Sequence, residues 1–379
     1  MTTAKLKLAA PALLLLSTLA GPGLAVDYRV TRYDDPTPNG CPATDCSLRE
    51  AVIAASAASD SDTIYLSAGR YELSRAGVDE DAGSTGDLDV RGDVEILGPG
   101  ASMTIIDANG IDRVLEFSDF VGADTPRIEG IAITGGLSDG GDTAGIAVET
   151  TLDLEIDRCE IYGNDNGTNN FGAILIGIGT TLTVRDSTFR DNIGGGVNSN
   201  QGSAQLFNVT FSNNEGAEIT GANDAAIYCN HCTFRDSETF PEIDLLGDAT
   251  LQLANSAIIG NCNLVSGGTI ASFGGNIESP GTGCGLDQAT DQDGVASHGF
   301  GSLADNGGPT RTFLPSVTSP AVSGANDAFC PPTDQRGATR PDTNCDVGAV
   351  ERVASRPRTP IFADGFEQRS GGAWSIFLP

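Results

Sequence analysis

Three arginine–aspartate pairs, Arg185 with Asp186, Arg190 with Asp191 and Arg235 with Asp236, are the residues of this chain best placed to do chemistry. On an extended scaffold, arginines can hold the oxygens of a sugar while acids hold calcium or activate water. The pairs at 190 and 235 fall at equivalent positions of a repeat two units apart, about 10 Å in a stacked fold, a span that suits a sugar unit. The same pairs suit surface neutralisation, in which adjacent opposite charges contribute little. No set of three or more acids falls in register. These six residues therefore read as a carbohydrate-binding row, with a lyase or glycoside hydrolase as the alternative and no catalytic residue assigned.

A second polar set lies in two insertions rich in Gly, Asp and Asn, "SDGGDTAG" and "GNDNGTNNFG". Asp139, Asp142, Asp165 and Asn169 are expected to wall a groove there, because insertions in adjacent repeat units emerge on one side. Calcium is the one ion such a set would take; no motif calls for another cofactor. Cys229, His231 and Cys232 suggest zinc, but a fourth ligand is missing and alternation turns His231 away from the two cysteines.

The scaffold is legible as a repeat. Leu154, Ile156, Cys159, Ile161 and Asn164 form a phrase echoed by Leu182, Val184, Ser187, Phe189 and Asn192, then by Ala204, Leu206, Val209, Phe211 and Asn214. Further copies centre on Cys232 and Ser256, and a worn first copy surrounds Ile131. An interval of this size marks one unit stacked many times. Each copy holds two short period-2 stretches, so one set of side chains faces inward and neighbouring copies bury it. That describes an all-β parallel solenoid with short strands. Asn164, Asn192, Asn214 and Asn261 share a position and are expected to form an amide ladder at one turn.

Residues 1–25 have a basic start, a short apolar run and small residues before a cut, the pattern of a secretory signal peptide. The run is too short to span a bilayer, and no later segment is long enough. The chain has 51 acidic residues against 21 basic ones, for a net charge of −30. Such a surface argues against nucleic acid and anionic membranes as partners, and leaves a polysaccharide or another cell-surface component.

Nine cysteines fit an oxidising compartment. Cys159 and Cys232 sit three units apart, about 14 Å, too far to bond, so Cys159 reads as a buried thiol. Cys229 and Cys232 either pair across a bend or pack. Cys262 with Cys284 and Cys330 with Cys345 bracket loop-rich stretches that cross-links would staple. Ser47 and Glu50 form a capping box that opens a short helix with one apolar face, expected to lid the solenoid.

"CPATDCSLREAVIAAS" resembles the amino-terminal CSLREA domain of secreted bacterial proteins. "GNCNLVSGGTIASFGGNIESPGTGCGL", "DQRGATRP" and "CDVGAVE" resemble the choice-of-anchor Q domain. The resemblance implies a right-handed parallel β-helix of the pectin-lyase-like class, exported, with Cys41 bonded to Cys46. It also supports the 262–284 and 330–345 pairings. The expected organisation is a signal peptide at 1–25, a strand and capping helix at 26–60 and a β-helix at 61–285. A choice-of-anchor Q-like region at 286–353 and a linker and tail at 354–379 follow. No membrane anchor is read after Glu351.

Overall fold

The computed structural model describes residues 25–352 apart from 58–60, 78–79, 81, 119–124, 139–142, 149–151, 168–170 and 236–238. The signal-peptide stretch up to residue 24 and the tail 354–379 lie outside the described residues.

The described residues fold as a parallel β-solenoid with three sheets, of ten strands (sheet A), nine (sheet B) and eight (sheet C). One coil shows the construction. Thr181–Arg185 lies in sheet A, Thr188–Arg190 in sheet B and Val197–Asn200 in sheet C, and Ser203–Phe207 then returns to sheet A beside its predecessor. Alternation decides what faces in. Leu182 and Val184 are fully buried, while Thr181, Thr183 and Arg185 face out. Because pairing is in register, each inward residue sits on its equivalent in the next coil. Phe189, Phe211 and Phe234 stack with ring centroids 5.0 and 5.1 Å apart. Each such burial contributes about 1.5–3 kcal/mol. The stack also begins before the readable repeat: Asp62–Tyr65 and Val94–Leu97 are sheet A strands whose irregular connections hide the interval.

The turns repeat as strictly as the strands. Arg158, Asp186, Asn208, His231 and Asn255, between sheets A and B, all have φ between 50° and 57°. At the next turn Asp191 and Asn213 do the same, one residue before the asparagine ladder. The ladder itself is buried. Asn164 Nδ2 donates to Asn192 Oδ1 (3.0 Å) and Asn192 Nδ2 to Asn214 Oδ1 (2.8 Å), and the run ends with Asn214 donating to Glu218. Asn261 does not join it. The sheet B strand of that coil runs on through Ala257–Gly260, and Asn261 lies exposed beyond it.

The helix Leu48–Ser56 carries the expected capping box and packs on Leu88–Val90, the first strand of sheet C. Its Arg49 is 1% exposed. The guanidinium pairs with Asp35 at 2.8 Å and donates to the carbonyls of Gly83, Gly86 and Asp87, tying the cap to an irregular stretch of backbone. The disulfides Cys41–Cys46, Cys262–Cys284 and Cys330–Cys345 are as expected, and Cys229–Cys232 also pairs. Cys159 is free and buried, and burial pushes its thiol up to about 12, so it stays protonated and inert.

Replacing Asn192 with Ala strands donors and acceptors on both neighbouring coils and is expected to cost about 2 kcal/mol or more. The exposed Asn261→Ala change is expected to stay within about 0.5 kcal/mol. Chemical denaturation of both variants checks the contrast.

Candidate functional site

The outward face of sheet B, where an open arginine–aspartate row was expected, is covered. Thr188, Thr210 and Thr233 stack in register on that face, yet they are 0–1% exposed. Residues 300–351 fold back over them. Thr188 donates to the Arg311 carbonyl (2.6 Å), Thr210 to Gln335 Oε1 (2.6 Å), and Thr233 accepts from the Ala349 amide (3.0 Å). Gln335 Nε2 donates in turn to Thr188 and Thr310 hydroxyls, both at 2.8 Å. The left-handed turn column joins in: Asn208 donates to the Thr333 carbonyl, His231 Nδ1 bonds the Gly348 carbonyl, and Asn255 bonds Asn326. Arg340 is buried and bonds Glu351 and Gly348. "DQRGATRP" and "CDVGAVE" are thus the clamp that seats the C-terminal region on the solenoid.

The structure distributes the arginine–aspartate pairs over two sheets and their turns. Arg190 and Arg235 do share a column two coils apart, with Ser212 between them. Arg190 is spent on Glu160 (3.1 Å) and Asp191 (2.9 Å) and lies 3.9 Å over the Tyr162 ring. Arg235 donates to the Gly301 carbonyl at 2.7 Å and faces Phe313. Arg185 belongs to sheet A instead. Asp186 and Asp191 occupy the turns, where they accept from Asn208 and Asn213, both at 3.0 Å. Asp165 folds onto its own turn, accepting from Gly167 N. Asp236, Asp139, Asp142 and Asn169 lie outside the described residues.

Two clefts flank the clamp. One, of ≈ 250 Å³, is lined by Glu160, Tyr162, Arg190, Asp305 and Arg311. The other, of ≈ 610 Å³, is lined by Arg235, Phe240, Glu242, Asn261 and His298. His298 Nδ1 accepts from Phe300 N, which leaves its proton on Nε2. Burial, with Arg235 nearby, pushes its pKa down, so the ring is neutral and offers a donor rather than a charge.

Among the described residues, two groups have the composition of a metal site. Asp87, Asp89 and Glu116 bring carboxylate oxygens within 4.8 Å of one another, but Arg113 lies among them, 2.5 Å from Asp87 and 2.7 Å from Glu116, and supplies the counter-charge. His231 lies beside Cys330 and Cys345, whose sulfurs are bonded to each other and so present no thiolate.

A surface the sequence reading passed over lies on sheet A. One outward column runs Glu95, Arg127, Glu155, Thr183, Gln205, Tyr228, Gln252. It begins charged and becomes neutral. Beside it Arg185 lies 4.4 Å over Phe207, whose ring packs edge-on to Tyr228 at 5.6 Å. A shallow groove of ≈ 320 Å³ follows Gln205, Tyr228 and Gln252. Part of the signal was available: the stretch between Asp248 and Glu278, which holds Gln252, has no charged residue in a chain of net charge −30.

Burial raises the pKa of Asp87 to about 7 and of Asp186 to about 6, and also raises Asp157, Glu278, Asp346 and Glu351. The native state therefore holds protons that the unfolded chain releases, and stability falls as pH rises from about 4 to about 7. Asp34 and Glu80 are shifted the other way but are weakly buried, so they offset little. His231 and His298, whose pKa burial lowers, oppose the trend between about pH 5 and 7, but they are two groups against six. Thermal melting is expected to give a higher Tm near pH 5 than near pH 8, and Asp186→Asn to flatten that slope.

Among the described residues, no helix is long and apolar enough to cross a membrane. No protein-family model matches the chain, and no curated protein matches it.

Proposed function

We propose that this protein is an exported binding protein that holds an uncharged polysaccharide on the outward face of sheet A. The observation that carries the reading is the neutral, aromatic-bearing column of Thr183, Gln205, Tyr228 and Gln252 on an otherwise strongly acidic chain. Sugars are bound by stacking a C–H face on an aromatic ring while side-chain amides and hydroxyls meet the ring hydroxyls. Tyr228 between two glutamines offers both. Net negative charge repels acidic polysaccharides and leaves neutral ones unaffected. Four disulfides and the leader pattern of residues 1–25 support work outside the cytoplasm, and the CSLREA-like and choice-of-anchor Q-like motifs support the same setting.

A lyase or hydrolase built on the arginine–aspartate row is less well supported. An arginine of such a site must be free to approach the sugar, whereas Arg190 is held by two carboxylates and Arg235 by a carbonyl.

The test is calorimetric titration against a panel of neutral and acidic polysaccharides, with assays for unsaturated products and new reducing ends run alongside. Binding to neutral members, little changed by salt, is expected. Tyr228→Ala is expected to weaken it at least about tenfold, 1.4 kcal/mol, and Arg190→Ala to leave it unchanged. Cleavage products that disappear in Arg190→Ala would sink the binding reading.

A further inference from the structure

The two ends of the solenoid are finished differently. At the amino-terminal end the helix Leu48–Ser56 covers sheet C, and sheet A closes with Asp27–Arg29, a three-residue strand with a charge at each end. At the other end Cys262–Val265 is the last strand of sheet C and Thr269–Ser272 the last of sheet A. Among the described residues no strand pairs with the outer edge of either. Sheet B is different, because Ile277 still bridges to Gln292 beyond it.

Unpaired edges in native proteins are usually blunted by lysine, proline, an inward charge or a bulge. These two carry none of those devices. The run from Cys262 to Ser272 has no charge and no proline. Leu264 stacks on the buried Leu245 and Ile270 on the buried Leu251, so both continue the core. Among the described residues no strand lies beyond, and inward Leu264 is 36% exposed. The loop tied by Cys262–Cys284 seats Cys284 and Leu286 on the rest of this core end and leaves Leu264 open.

We infer that this end is an interface for a second copy of the chain. A two-fold axis through the corner at 266–268 sets Cys262–Val265 of one copy antiparallel to Thr269–Ser272 of the other, and the reverse. One isologous contact then satisfies both open edges and joins the two core ends at Leu264 and Ile270. Head-to-tail stacking is disfavoured, because the opposite end carries a helix and a charged strand. The neutrality of Cys262–Ser272 lets two copies of so acidic a chain approach along these strands.

The test uses the full exported chain. Sedimentation or light scattering is expected to show the mass rising from one chain towards two over a roughly hundredfold concentration range. Hydrogen exchange at Cys262–Val265 and Thr269–Ser272 is expected to slow about tenfold or more over the same range. Leu264→Lys, which places an inward charge on the edge, is expected to abolish both effects. A single-chain mass at every concentration overturns the inference. Edge amides protected independently of concentration overturn it too, since the chain's own residues would then cover the edge. A dimer whose edge amides exchange freely overturns it as well, whatever Leu264→Lys does to the last coil.

Discussion

Parallel pairing in register between successive coils is the constraint from which the rest of this structure follows. A residue's neighbour along the solenoid axis is its own equivalent, so any property chosen once is presented as a column. Inward, this favours side chains that pack on copies of themselves, and the flat stack of Phe189, Phe211 and Phe234 is the outcome. At buried turns it favours groups that both donate and accept, which an amide does and a carboxylate does not. The asparagine ladder accordingly stops where Asn214 meets Glu218, an acceptor that closes the chain of donors.

Outward, the same rule makes surfaces out of single positions. The hydroxyl column of Thr188, Thr210 and Thr233 is a surface that only a polar partner can cover without leaving groups unpaired. Gln335 meets this requirement with an amide that accepts from one coil and donates to another, and Thr233 is met by a backbone amide. Hydrogen-bonded coverage of this kind fixes where the C-terminal region sits, because a slip of one coil would leave Gln335 over the wrong hydroxyls. The sheet A column has no such cover among the described residues, and its uncharged side chains remain open to solvent.

The parts of this design that are local and periodic could be read from the chain. Alternation gave the inward column, the interval gave the stack, and the Ser47–Glu50 spacing gave the cap. What could not be read is contact across long sequence separation. Thr188 meets Arg311 and Asn208 meets Thr333, and neither partner belongs to the repeat. The arginine–aspartate pairs are split for a related reason. Adjacent residues look like neighbours on one face, but Asp186 and Asp191 adopt left-handed backbone at the turns, which swings each away from the strand that carries its arginine. Asn261 misled because its strand runs on to Gly260, so an equivalent position in sequence is no longer equivalent in space.

Function, on this fold, resides where the periodic rule leaves a choice. Inward positions are dictated by packing and turn positions by backbone geometry, and the outward face of sheet B is committed to the clamp. The outward column of sheet A from Thr183 to Gln252 and the strands Cys262–Val265 and Thr269–Ser272 of the last coil are free of all three demands, and both lack charge in a chain of net charge −30. Stacking energetics do not require that lack, since the earlier coils pair well with Glu95, Arg127 and Glu155 at the same outward column. A feature that the fold permits but does not require, on surfaces the fold leaves exposed, is best accounted for by what those surfaces meet.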